Sequence, residues 1–247
     1  PLHAEAISNA TAATQLWNVA GVSIVGLGVA SQRPTFTLDT ANTATITVSA
    51  ANISVTNVVF IANFLNIAVL FTLTTAKGFI VNGNEILDTS GILNFVKIIT
   101  TNATANAADK LTFTNNLVFS AATTGANNLF VPGAASDRTS FTDNYYTALT
   151  TNGGAVFVLG ALVLTNFLIL RNRFNLTNAA VTATAYLVTG TGASTGYIDG
   201  NIDFCLSNTT FLSSLMVTAG TGIRFGLNYH SRTADKSPGV VLPAADA

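Results

Sequence analysis

Charge is what this chain has least of. Only 9% of its 247 residues are Asp, Glu, Lys or Arg, and the formal net charge is −1. Nucleic acids are bound by basic faces that displace counterions from phosphates, and the ten scattered Lys and Arg form no such stripe, so no nucleic acid partner is expected. Cysteine is nearly absent as well. The single Cys205 excludes an internal disulfide and reads as a small buried hydrophobe in the run Ile202-Asp203-Phe204-Cys205-Leu206. No His, Cys or carboxylate cluster has metal-ligand spacing, so neither a metal nor a cofactor is expected. Helical periodicity is missing too: Val, Ile, Thr and Phe prevail in short runs, and apolar positions three and four apart do not recur.

Long uncharged stretches are present, and residues 153–170 are about long enough to cross a bilayer. Residues 40–76 carry no charge either, but Asn52, Asn57, Asn63, Asn66, Thr165 and Asn166 interrupt these stretches. Both alternate in strand fashion and keep phase with a repeat, so no membrane span is expected. No positively charged, cleavable leader opens the chain. The first residues already read as part of a structural unit, without an initiating Met, so further upstream sequence is expected.

The repeat is centred on Phe79-Ile80-Val81-Asn82-Gly83-Asn84-Glu85-Ile86-Leu87. Its counterparts place Asn57, Asn84, Asn116, Asn144, Asn172, Asn201 and Asn228 in one series, with gaps of 27, 32, 28, 28, 29 and 27 residues. A period in this range signals stacked supersecondary units. Each unit holds three apolar runs, as in Tyr145-Tyr146-Thr147-Ala148-Leu149, Ala155-Val156-Phe157-Val158-Leu159 and Phe167-Leu168-Ile169-Leu170. Three short runs bounded by Asn, Thr and Gly predict three strands per turn. The expected fold is therefore all-β, a right-handed single-stranded parallel β-helix with about 28 residues per rung and roughly nine rungs, a rod on the order of 40 Å long. The helix is expected over residues 1–229, with an aperiodic tail over 230–247 that packs on the last rung or a neighbouring subunit. The asparagines are expected to occupy one tight corner, where Asn tolerates a left-handed backbone and its amide can bond from rung to rung.

The strand Ile24-Val25-Gly26-Leu27-Gly28, with Arg33-Pro34-Thr35-Phe36 after it, resembles the early rungs of pectate-lyase-like right-handed β-helices. Further stretches, Thr45-Ile46-Thr47-Val48-Ser49-Ala50-Ala51-Asn52-Ile53, Ala62-Asn63-Phe64-Leu65, Phe71-Thr72-Leu73-Thr74 and the closing Leu242-Pro243-Ala244-Ala245-Asp246, resemble a group of tailed-phage virion β-helix proteins. That resemblance implies a non-enzymatic structural protein on the outer surface of a virion: a homotrimeric capsid decoration, cement or head spike protein. Its implied partners are further copies of itself and the major capsid protein or other virion proteins. The alternative it implies is a tailspike that binds or cleaves bacterial surface polysaccharide.

Three catalytic motifs are approximated by the sequence. Gly26-Leu27-Gly28 starts like a dinucleotide fingerprint but lacks its third glycine, and reads as a turn. Gly192-Ala193-Ser194-Thr195-Gly196 fits a nucleophile elbow, with Asp199 or Asp203 and His230 in the right chain order, yet a strand and not a helix follows the serine. A glycosidase needs two carboxylates about 5–10 Å apart, for which Asp199 and Asp203 are the candidates, with Tyr145 and Tyr197 as sugar-stacking rings. A plain ion-pair ladder on the face of the rod, through Asp143 and Arg171, explains the same residues and is the preferred reading.

Overall fold

The computed structural model describes residues 15–121, 127–150, 155–178, 186–205, 216–217, 222–232 and 238–241. It is a parallel β-solenoid of about six turns with about 28 residues per turn. Three sheets run its length. The first begins with Gln15–Trp17 and ends with Met216–Val217, and the second runs from Ser23–Val25 to Gly222–Phe225. The third runs from Thr35–Leu38 to Asn228–Arg232. Each stacks eight parallel strands, and the third gains a ninth in Pro238–Val241, which lies antiparallel on Asn228–Arg232. The expected nine rungs are thus eight strand triplets, which run from Gln15 to Arg232. Six triplets have a neighbour on both sides in every sheet.

Alternation within the short strands explains the core. On the second face Phe113 and Phe141 point inward in register, while Thr112, Thr114, Ser140 and Thr142 point outward. The inward rings pack between faces: Phe141 lies 5.2 Å from Phe130 and 4.9 Å from Phe157 on the first face. Lower in the rod Phe71 meets Phe60 at 5.1 Å and Phe79 at 5.4 Å. Tilted and edge-on pairs of this kind add about 1 kcal/mol each beyond the area they bury. The only helix among the described residues is the short 3-10 turn Ala30–Gln32, and none is long and apolar enough to cross a membrane.

The third strand series continues in parallel to Arg232, three residues past the expected end at Tyr229. The chain then folds back, with Asn228 opposite Val241 and His230 opposite Gly239. The longer spacing before Asn116 is taken up by a turn between Thr101 and Thr112, in which Asn106 donates its backbone N–H to Ala135 of the next rung. A small side sheet, Ser136–Asp137 on Leu164–Thr165, forms just ahead of the second face.

Candidate functional site

Two columns of left-handed residues bound the second face. Before it stand Gly21, Asn52, Gly78, Lys110, Arg138 and Asn166, with φ between 54° and 74°. After it stand Asn57, Gly83, Asn115, Asp143, Arg171 and Gly200, with φ between 53° and 67°. Each rung thus bends twice, with four extended residues between the bends. The repeating asparagines are not the bending residues. From Asn84 to Asn201 each one follows its left-handed residue without a positive φ of its own, so the corner is made by the residue before it, whereas Leu227 before Asn228 is not left-handed.

What the asparagines do is satisfy buried backbone groups. The side-chain oxygen of Asn144 accepts the backbone N–H of Asn116 at 2.9 Å and its side-chain amide at 3.1 Å. The amide of Asn144 reaches the Phe113 carbonyl of the rung below at 2.9 Å and the Asn172 oxygen of the rung above at 2.9 Å. The same set of bonds repeats at Asn116, Asn172 and Asn201; Asn84 makes the same donations but accepts only a backbone N–H, the series ends at Asn228, and all six side chains are buried. Polar groups buried this deeply are each costly without a partner, and the ladder supplies all of them.

Asn57 is not a member. Strand register pairs Thr56 with Asn82 and Val59 with Glu85, so Val58 occupies the ladder position and Asn57 the bend. Val58 donates its N–H to the Asn84 oxygen at 2.9 Å, and Asn57 instead ties down the loop below through the Gly26 and Gly28 carbonyls at 2.7 and 2.8 Å. Those two glycines do not form a nucleotide-binding turn. A side chain on Gly26 would run into the Asn57 carbonyl and one on Gly28 into that of Gln32.

Outward from the second face, the C-terminal rungs carry an open groove of about 1330 Å³. Its floor is two columns set by register. Ser140, Leu168, Tyr197 and Arg224 stand on four successive rungs. Arg138, Asn166 and Thr195 stand beside them, ahead of the strands. The Tyr197 ring is 39% exposed, and Arg224 is exposed. Gly226 is a site of close approach here: a Cβ on it would lie 2.1 Å from an Asp199 carboxylate oxygen and 2.6 Å from the Tyr197 hydroxyl.

Two ionic clusters flank the groove. Arg171 grips Asp143 with two bonds of 2.7 and 2.8 Å, which lowers the Asp143 pKa, and Asp199 adds a weaker attraction to the same guanidinium. Asp137 accepts from Asn166, Thr165 and Arg138, and these bonds hold its carboxyl down at about 2.

The remaining sequence candidates are dispersed. Tyr145 stands on the third face, where Asn175 donates to its hydroxyl at 2.6 Å and Arg173 lies 5.5 Å from its ring centre. Tyr197 and Asp199 are on the second face, whereas Asp203 lies past the corner, in register with the buried Phe174. The side chains of Asp203, Cys205 and His230 lie outside the described residues. Ser194 is no exposed nucleophile. It is 3% exposed, accepts the Leu164 N–H at 3.0 Å and donates to the Leu162 carbonyl at 3.2 Å. Among the described residues no group of three His, Cys, Asp or Glu is placed to hold a metal.

Sequence reasoning missed the groove floor. Its signal is present in the spacing of Ser140, Leu168, Tyr197 and Arg224, but only strand register reveals that they share one column. No protein-family model, curated protein sequence or solved structure matches this chain.

Proposed function

We propose that the chain is a non-enzymatic structural rod of a tailed-phage virion, acting as a homotrimer that decorates or cements the capsid or forms a head spike. The observation that carries the self-association is the outer surface of the third face. Leu117, Tyr145, Arg173, Ile202 and Tyr229 follow one another in register there, the Arg173 guanidinium lying over the Tyr145 ring, and Phe119 stands beside them; Phe119 and Tyr229 are each 44% exposed. The first face, by contrast, turns Thr47, Thr72 and Thr100 outward. A largely apolar and aromatic face, interrupted by Arg173, along a rod with so little charge favours a covered interface, and cyclic closure limits growth that an open contact would not. Light scattering of the purified protein tests this: a trimer that Phe119→Asp converts to monomers is expected, and a wild-type monomer would remove the reading. The phage assignment rests on the resemblance stated above. Locating the rod's density on an intact particle, on capsid or on tail, tests it directly.

A second reading, a tailspike-like protein that engages bacterial surface glycan, is favoured by one observation, the groove on the second face. Binding is the part of that reading the groove supports. A hydrolytic pair of Asp199 and Asp203 has no such support, since the corner at Gly200 and Asn201 separates them.

A further inference from the structure

We propose that the lower end of the rod, formed by Gln15–Trp17, Ser23–Val25 and Thr35–Leu38, is a self-pairing surface on which a second copy of this chain docks end to end about a two-fold axis. The inference is independent of the virion and glycan readings. Hydrogen bonding shows which backbone groups this end leaves open. Trp17, Val22, Gly26, Pro34 and Leu38 bond to the rung above. In a parallel ladder the intervening residues turn their N–H and C=O groups the other way, so Leu16, Ser23, Val25, Thr35 and Thr37 aim theirs off the end of the rod. Among the described residues no strand receives them. Residues 15–32 carry no charge, whereas a strand edge that must stay single is ordinarily guarded by charged side chains. Leu27 and Val29 are 92% and 74% exposed, and the loop that presents them is pinned, because Asn57 holds the Gly26 and Gly28 carbonyls on either side of Leu27.

What commits this end to a second copy is that it carries both a projection and its receptacle. At the corner before the second face, Leu16, Trp17, Val19, Val22 and Ile24 line an open apolar pocket of about 190 Å³. Leu27 and Val29 stand at the corner after that face. A two-fold axis through the middle of Ser23–Val25, perpendicular to the second face, lays this strand antiparallel on its copy. It also sets the corner after the face of one protomer over the corner before it of the other, so Leu27 and Val29 meet the pocket twice, with the reciprocity an isologous contact requires. Gln15–Trp17 then runs antiparallel to the copy's Thr35–Leu38. Head-to-tail stacking is closed off, because at the opposite end Pro238–Val241 lies antiparallel along Asn228–Arg232 and takes that edge. Pairing therefore stops at two. Each open edge is only three or four residues long, so the contact falls short of the ~1,600 Å² of ordinary stable complexes, and the pairing is weak and added to the third-face association.

The test is sedimentation equilibrium of the full chain carrying Phe119→Asp, so that a failure of the third-face reading leaves the outcome untouched. Particle mass is expected to double between roughly 1 μM and roughly 1 mM, and the further change Leu27→Asp is expected to abolish the doubling. Leu27 touches solvent over nearly its whole surface, so an unchanged circular dichroism spectrum is the accompanying check. In a mixture of Leu27→Cys and Val19→Cys chains, both with Cys205→Ala, oxidation is expected to join unlike chains in preference to like ones. A constant mass over that range, a doubling that survives Leu27→Asp, or growth beyond twofold would overturn the proposal. Preferential cross-linking of like chains would overturn the two-fold arrangement. Doubling that appears only after residues 1–14 are deleted would assign this end to that segment and overturn the proposal as well.

Discussion

The two corners that bound the second face bend the backbone in the same way and handle the consequences differently. At the first, the residue after the bend is apolar at Ile53, Phe79, Leu111 and Phe167 and a buried threonine at Thr139, and at Phe79 and Leu111 its N–H is satisfied locally. Phe79 donates back to Ala76 at 2.9 Å and Leu111 to Ala108 at 3.0 Å, closing a turn within the rung. At the second, the N–H after the bend is passed to a side chain on the next rung, as from Asn116 to the Asn144 oxygen. A left-handed residue is enough to turn a corner. A buried asparagine is needed only where the turn offers its N–H no acceptor of its own.

The comparison breaks most sharply at the middle of the ladder. Asn144→Ala strands the Asn116 N–H, takes one of two acceptors from the Asn116 amide, which keeps the Val81 carbonyl, and removes the side-chain donors to the Phe113 carbonyl and the Asn172 oxygen, and is expected to cost roughly 3–5 kcal/mol in chemical denaturation. A loss under about 1 kcal/mol would mean that water replaces the amide.

The third corner offers a version of the same acceptor that titrates. Asp88 receives the backbone N–H of Phe95 at 3.0 Å, that of Ala121 at 3.1 Å and the Ser120 hydroxyl at 2.7 Å. Burial is the leading cause and raises its pKa from 3.8 to about 6, against those three bonds. A folded pKa above the unfolded value means that the native state holds the proton more tightly. The associated stability is present in full below about pH 4 and is lost as pH rises through about 6, with an upper bound of about 3 kcal/mol. Stability of the wild type measured between pH 4 and 7.5 is expected to fall relative to Asp88→Asn, and parallel pH profiles would contradict this. The amide ladder should show no such dependence.

Smaller effects sharpen the contrast. Val58→Asn places an amide at the ladder's lower end, but the rung below turns away there, with Leu27 92% exposed, and offers its oxygen no donor. The expected cost is about 1–2 kcal/mol, read from the denaturation midpoint. Lys110→Gly at the first corner relieves a φ of 58° but loosens the unfolded chain, so its expected effect lies within about 0.5 kcal/mol.

Strand type, repeat length and six of the seven ladder asparagines were legible because a fixed period survives without any knowledge of contacts. Asn57 was not, since both the bend and the position after it accept asparagine, as Asn115 and Asn116 show side by side. A gap of 27 residues cannot tell one from the other. The role assigned to the ladder also needed coordinates: left-handed tolerance is a property of asparagine in isolation, whereas burial and hydrogen-bond direction belong to the stack. Asp199 and Asp203 sit four residues apart in sequence, and the intervening bend at Gly200, with φ of 67°, sends them to different faces.

The ladder is wired one way. In every rung from Asn84 to Asn201 the backbone N–H donates to an oxygen on its C-terminal neighbour. Removing a rung from the C-terminal end therefore exposes donors that have lost their acceptor, while removing one from the lower end leaves an asparagine oxygen that water can reach. The same uniformity makes rod length an adjustable quantity. A whole coil cut or duplicated between two ladder asparagines, such as Asn144 and Asn172, rejoins identical chemistry at both seams, so a protein of this design can lengthen or shorten by genetic duplication without inventing a new turn.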